Sequence, residues 1–289
     1  MVQLSYNNYT AVITELGAEL RSLKLSTGRE LMWQADPRFW GKTSPVLFPL
    51  VGCPRGKKAL FGGIEFPATR HGFARDVPFD YSKITANEAS FTLNSSEATK
   101  ELYPYDFKFV IKYRLLGDRL KLTYAVTNKG DVPLPFCIGA HPAFNLPFGA
   151  NESFSDYKAV FETKVTASTP DFNGETFSST SRTARLTDSD IFPLNYADYV
   201  NDVVFFDDIK ANSLTLTKDG THGVKVGWQG FTGVGLWTPT GMEAPFVCVE
   251  PWCGSADFDN DPPEFEKRRG VQTAAAGETL RYEMIISEV

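Results

Sequence analysis

The stretch FKFVIKYRLLGDRLKLTYAV, residues 107–126, decides the fold. Phe107, Phe109, Ile111 and Tyr113 recur at every second position, and Leu120, Leu122, Tyr124 and Val126 do so again. A period of two sends alternate side chains to opposite faces of an extended chain, so each half reads as a half-buried strand. Leu115-Leu116-Gly117-Asp118 between them is a turn signal, and the unit is predicted to be a hairpin.

Working outward, similar short runs closed by Gly, Asn or Asp occur at 11–15, 91–94, 203–206, 214–217, 224–228, 234–237, 246–249 and 282–286. Helical spacing of apolar residues is short or missing, and 18 prolines and 23 glycines punctuate the chain. The expectation is an all-β, mainly antiparallel sandwich or barrel with few short helices. Residues 151–200 are polar and weakly patterned, which predicts a long excursion from the sheets. With no repeat or low-complexity tract, 1–289 reads as a single domain.

Of the 289 residues, 42% are hydrophobic and 13% aromatic, enough for a large core. A net charge of -6 argues against a surface built to neutralise phosphate backbones, so no nucleic-acid partner is expected. The first residues, MVQLSYNNYTAVITEL, lack a basic segment followed by an apolar one, and no stretch approaches the ~20 apolar residues of a membrane span. A cytoplasmic protein without a membrane partner is the expectation. Cys53, Cys137, Cys248 and Cys253 form no CxxC and are expected to be reduced.

Three histidines and one glutamate stand out. His222 lies in the polar segment KDGTHG and reads as an exposed turn residue. His71 precedes a glycine in TRHGFARD, where a backbone or a ligand can approach closely; a loop histidine bonded to the main chain and a site residue are both open. His141 ends an apolar segment and is followed by Pro142, which delivers a titratable ring to the edge of the core. A satisfied core histidine is the alternative there. Glu250 ends the apolar run PFVCVE and is held by Pro251; a carboxylate there is costly to bury unless paired, which makes it a site candidate beside a structural ion pair. No HxH, HExxH or Cys-His ligand spacing occurs, so chain spacing gives no support for a metal. GxSxG, Walker and GxGxxG hooks are also missing, and no cofactor is expected.

Six blocks taken together resemble the aldose 1-epimerase (mutarotase) family, especially its bacterial branch with an HGFAR signature. They are 17–23 (GAELRSL), 45–52 (PVLFPLVG), 71–75 (HGFAR), 103–107 (YPYDF), 139–145 (GAHPAFN) and 249–252 (VEPW). The resemblance implies a galactose-mutarotase-like β-supersandwich with a sugar cleft on a concave sheet. It implies Glu250 as general base and His141 as general acid, with His71, Asp202 and an upstream arginine holding sugar hydroxyls. Close relatives tend to read Val-Gly-Arg where this chain has Val51-Gly52-Cys53, and Arg55 is taken as the replacement. Arg75 serves the site or braces its loop, and Phe144 or Trp237 floors the cleft.

The implied reaction exchanges α and β anomers of an aldose. The C1 hydroxyl loses a proton while the ring oxygen gains one, so one base and one acid suffice. A hexose 6-phosphate is the rival substrate, with Arg70, Arg75 and Lys57 or Lys58 as phosphate partners. A carbohydrate-binding protein without catalysis is a second rival. A glycosidase is a third; it needs a second carboxylate near Glu250, with Asp202 and Asp257 as candidates.

Overall fold

A computed structural model describes residues 1–25 and 27–289. The 107–126 segment forms the expected hairpin: Phe107–Leu116 pairs antiparallel with Arg119–Asn128, with Leu116 opposite Arg119. Gly117 and Asp118 are thus the two loop residues, the length at which tight hairpins form. Phe107, Phe109, Ile111, Tyr113 and Leu115 are buried, as are Leu120, Leu122, Tyr124 and Val126, while Lys108, Lys112 and Arg114 face solvent. Full burial of one such apolar side chain contributes about 1.5–3 kcal/mol, so this alternation holds the hairpin in register.

The hairpin lies inside a nine-stranded antiparallel sheet. Thr279–Glu288 and Gly223–Gln229 continue it on one side, and Glu88–Asn94 and Asp80–Thr85 on the other. A six-stranded sheet faces it, with Phe246–Cys253 at its centre. That strand pairs with Gly233–Trp237 on one side and with the short strands Ile138–Ala140 and Ala143–Asn145 on the other. Aromatic contacts bind the sheets together: the Phe48 and Phe109 rings lie 4.7 Å apart, and Phe161 meets Phe206 edge-on at 5.5 Å. One contiguous apolar cluster runs from Val2 to Ile286. Strand makes up 51% of the residues and helix 7%, so the architecture is all-β, with antiparallel sheets and few short helices.

Residues 151–200 depart from expectation. Lys158–Phe172 and Phe177–Pro193 form a long hairpin at the edge of the nine-stranded sheet, not an excursion from it. Its pairing shifts register four times, and residues 180–184 are exposed on both faces. Bulges break the period of two and solvation removes the apolar face, so no strand pattern survives in the sequence. Among the described residues no helix is long and apolar enough to cross a membrane, and all four cysteines are free thiols.

Candidate active site

The Phe246–Cys253 strand is buried along its whole length. Alternation sends Val247 and Val249 into the core shared with the large sheet; Phe246 and Cys248 join a second cluster with Trp33 and Ala143. Phe39, Trp40 and Trp237 pack on that cluster. Glu250 is in phase with Phe246 and Cys248, and therefore stands on this second face, only 1% exposed. His141 is the link between Ile138–Ala140 and Ala143–Asn145, which dock on the same central strand. The Val249 N–H donates to the Pro142 carbonyl at 3.1 Å, fixing that link. The two residues, 109 positions apart in the chain, meet with His141 Nε2 3.2 Å from Glu250 Oε2.

Both open into one cavity of about 150 Å³, walled by Trp40, His71, Asp202, Trp237 and Trp252. Trp40 stacks on the His141 ring, centroids 4.9 Å apart at 25°, and Trp237 meets it edge-on at 5.5 Å. Neither Glu250 Oε2 nor His141 Nδ1 has an aligned hydrogen-bond partner. Buried polar atoms are rarely left so, and at a cavity wall such atoms suit a polar ligand.

His71 is 7% exposed and comes from the turn that its glycine allows. It has φ 67°, and Gly72 has φ +71°. A Cβ on Gly72 would lie 2.3 Å from the Phe48 carbonyl oxygen, so only glycine lets the two backbones approach. The His71 N–H donates to the Gly52 carbonyl at 2.7 Å, and the Gly52 N–H donates to His71 Nδ1 at 3.1 Å. With Nδ1 accepting, the neutral ring carries its proton on Nε2 and is a donor on that side.

Asp202 sits on the wall at φ 82°. Its carboxylate accepts from the Trp237 indole N–H and, at 3.1 Å, from the Arg70 guanidinium. Arg75 also lines the wall, with Nε 3.5 Å from Asp76 Oδ2.

Two expected site residues lie elsewhere. The Arg55 N–H donates to Asp257 at 2.9 Å, and its guanidinium reaches the Phe258 and Asp261 carbonyls at 3.4 and 3.3 Å. Pro54 and the turn at Arg55–Lys57 carry it away, with Gly56 at φ 64°. Arg70 is the arginine at the cavity mouth instead. Phe144 is fully buried in the core between the sheets and does not floor the cavity. Asp257 is paired with Arg268 at 2.6 Å outside the cavity, which leaves Asp202 as the second carboxylate on its wall. His222 is an exposed turn residue beside Asp219, as its sequence suggests.

Trp40 and Cys248 escaped sequence reasoning. Trp40 lies outside any strand pattern, and its one signal is a large aromatic in the loop sequence PRFWGK. Cys248 looks like a core thiol from its apolar neighbours. In the fold its Sγ, a His141 nitrogen and a Glu250 oxygen all lie within 4.8 Å of one another.

Burial dominates the electrostatics. It pushes the His141 imidazole down to about 3, with Arg75 and Arg70 adding to the effect. It also presses His71 well below the ordinary histidine range, with His141 as a second cause. The Glu250 carboxyl is raised well above the usual range by burial and by the nearby Asp202 charge. Burial thus favours the neutral form of both groups.

Comparison with known proteins agrees with this architecture. The family model described as aldose 1-epimerase matches residues 1–287. The LacX protein of Lactococcus lactis subsp. lactis is 31% identical over 262 residues, covering 88% of this chain and 87% of its own. The crystal structure of a galactose mutarotase related enzyme from Lactobacillus acidophilus superposes with a TM-score of 0.94 at 29% identity, over 100% of this chain and 97% of that one. A galactose mutarotase-like protein from Lactobacillus casei gives 0.90 at 27% identity, over the whole of both chains. The chain belongs to the aldose 1-epimerase family.

Proposed function

We propose that the protein is an aldose 1-epimerase that interconverts the α and β anomers of a hexose at the His141–Glu250 pair. The observation that carries the reading is the 3.2 Å approach of His141 Nε2 to Glu250 Oε2 at the wall of one aromatic-lined cavity. Ring opening removes a proton from the C1 hydroxyl and adds one to the ring oxygen. Both oxygens sit on a single carbon, so an adjacent donor and acceptor serve them together. A mere sugar binder has no use for two desolvated titratable groups in contact.

The proton inventory also fits. The family resemblance assigns the base to Glu250 and the acid to His141, whereas burial favours the neutral form of each group, with the proton on Glu250. Both arrangements contain one proton, and its passage across the 3.2 Å contact converts one into the other. Glu250 as carboxylate then takes the C1 proton while His141 gives its own to the ring oxygen. The C1–C2 bond turns, and the ring recloses on the other carbonyl face with the roles reversed. His71, Asp202, Arg70 and Arg75 hold the remaining hydroxyls, and Trp40 and Trp237 cover the apolar faces of the sugar.

Polarimetry on freshly dissolved α-glucose, α-galactose and their 6-phosphates tests this, with Glu250→Gln and His141→Asn beside the wild type. The wild type is expected to speed equilibration of at least one of them, and each variant to lose about 10²–10⁴-fold of that gain. Equal rates in all three proteins remove the assignment. The 6-phosphates belong in the panel because the Arg70 side chain is half exposed at the cavity mouth.

A further inference from the structure

We propose that His141, Cys248 and Glu250 form a binding site for a soft divalent cation of the Zn²⁺ class, and that its occupancy silences the acid–base pair. Only the silencing rests on the catalytic reading above; the cation site stands on its own geometry.

Three donors of different chemistry converge here from two chain segments. Cys248 and Glu250 are two apart on one strand, so they share its face, and His141 arrives from the neighbouring link. Their ligand atoms lie within 4.8 Å of one another. A tetrahedral ion with Zn–N and Zn–O bonds of about 2.0–2.1 Å sets those two ligands about 3.3 Å apart. The observed separation of His141 Nε2 and Glu250 Oε2 is 3.2 Å. A Zn–S bond of about 2.3 Å asks the thiol to close in by roughly 1 Å at most, within reach of side-chain rotation.

A second observation points the same way. Glu250 Oε2, the atom facing His141, has no hydrogen-bond partner although its residue is 1% exposed. Its lone pairs, 3.2 Å from His141 Nε2, are those offered to a ligand. Charge balance favours occupancy: one thiolate and one carboxylate neutralise a divalent ion in a place where net charge is costly. The thiol and carboxyl protons leave to solvent as it binds.

Softness sets selectivity. A thiolate with an imidazole suits Zn²⁺ and Co²⁺, whereas Mg²⁺ and Ca²⁺ require sets of oxygen ligands. His71 cannot complete the set through Nδ1, which accepts from the Gly52 N–H. His141 and Glu250 line the cavity, and the fourth ligand is proposed to come from that side. With the ion bound, the His141 lone pair and the Glu250 oxygen are both engaged, and no proton passes between them and a sugar.

The test uses EDTA-dialysed protein with ZnCl₂, CoCl₂ or MgCl₂. Equilibrium dialysis with metal analysis should give one Zn²⁺ per chain and no retained Mg²⁺. The Co²⁺ form should show a thiolate-to-metal charge-transfer band that Cys248→Ser abolishes, with Cys248→Ala as the substitute if the serine variant does not fold. In polarimetry, saturating Zn²⁺ should cut the wild-type rate at least tenfold, reversibly with EDTA. Scaled to its own metal-free rate, the Cys248 variant should need at least tenfold more Zn²⁺ for the same fractional loss. Co²⁺ binding without the thiolate band, or a band that survives loss of Cys248, overturns the site. A rate unchanged or raised by stoichiometric Zn²⁺ overturns the silencing. If the protein speeds no sugar at all, the dialysis and the spectrum still decide the cation site, so that failure is separable.

Discussion

The two largest sheets of this molecule handle polar residues in opposite ways. In the nine-stranded sheet, Phe107–Leu116 alternates buried and exposed along nearly its whole length, and charged side chains pair across strands in water, as Lys121 does with Glu283 at 2.7 Å. In the six-stranded sheet, Phe246–Cys253 has no exposed residue at all, yet it carries Glu250. A sheet with one wet face accommodates charge at little cost; a sheet covered on both faces accommodates it only at a price in stability. The carboxyl in the second setting is therefore the one to which the proposed function gives a task beyond folding, and substitution on either sheet can break or sharpen that contrast.

The largest effect is expected on the structural side. Phe109 is fully buried, and its ring lies 4.7 Å from that of Phe48 between the two sheets. Phe109→Ala should cost about 3–5 kcal/mol, read from urea unfolding as a lower midpoint with an unchanged slope. Catalysis per folded molecule should survive, because Phe109 is not among the residues that line the cavity. If polarimetric activity falls in step with Glu250→Gln while the fold persists, the division of labour between the sheets is wrong.

How much of this was legible follows the same line. The hairpin at 107–126 announced itself because one face is wet, so the period of two is written in the residues. Glu250 was visible for the converse reason: a lone carboxyl at the end of PFVCVE has no cheap explanation. His141 and His71 were flagged by the proline and glycine beside them. Trp40 and the approach of Cys248 to His141 and Glu250 were not legible, since each depends on where loops or separate strands meet in space. Arg55 was misplaced because a turn held by Asp257 decides its direction, and nothing in the local sequence reveals that partner. The long hairpin from Lys158 to Pro193 was missed because bulges and solvation erase its pattern.

A second prediction sets function against stability at Glu250 itself. Its folded-state pKa lies above the unfolded value, so the native state binds the extra proton. The sign follows: that contribution to stability is fully present below the unfolded pKa of about 4.3 and is lost as pH rises through the folded value. Glutamine does not titrate and can donate from its amide to His141. Glu250→Gln should therefore melt at a higher temperature than the wild type, with a gap that widens from pH 5 to pH 8. A variant less stable than the wild type at pH 8 would make Glu250 a structural residue.

The smallest effect comes from the same chemical change on the wet sheet. Glu283 is about one-third exposed, as is its partner Lys121, and both flank strands whose other face fills the core. Exposed pairs of this kind contribute about 0.2–1 kcal/mol, because water already solvates each charge and ordering two long side chains offsets much of the attraction. Glu283→Gln should destabilise by no more than that, and the difference should shrink in 1 M salt, where screening acts over about 3 Å. Polarimetric rates should match the wild type. Removal of one carboxylate charge is thus expected to weaken the molecule slightly on one sheet and to strengthen it while abolishing turnover on the other; parallel melts and rates for Glu283→Gln and Glu250→Gln, in low and high salt, measure both signs in one experiment.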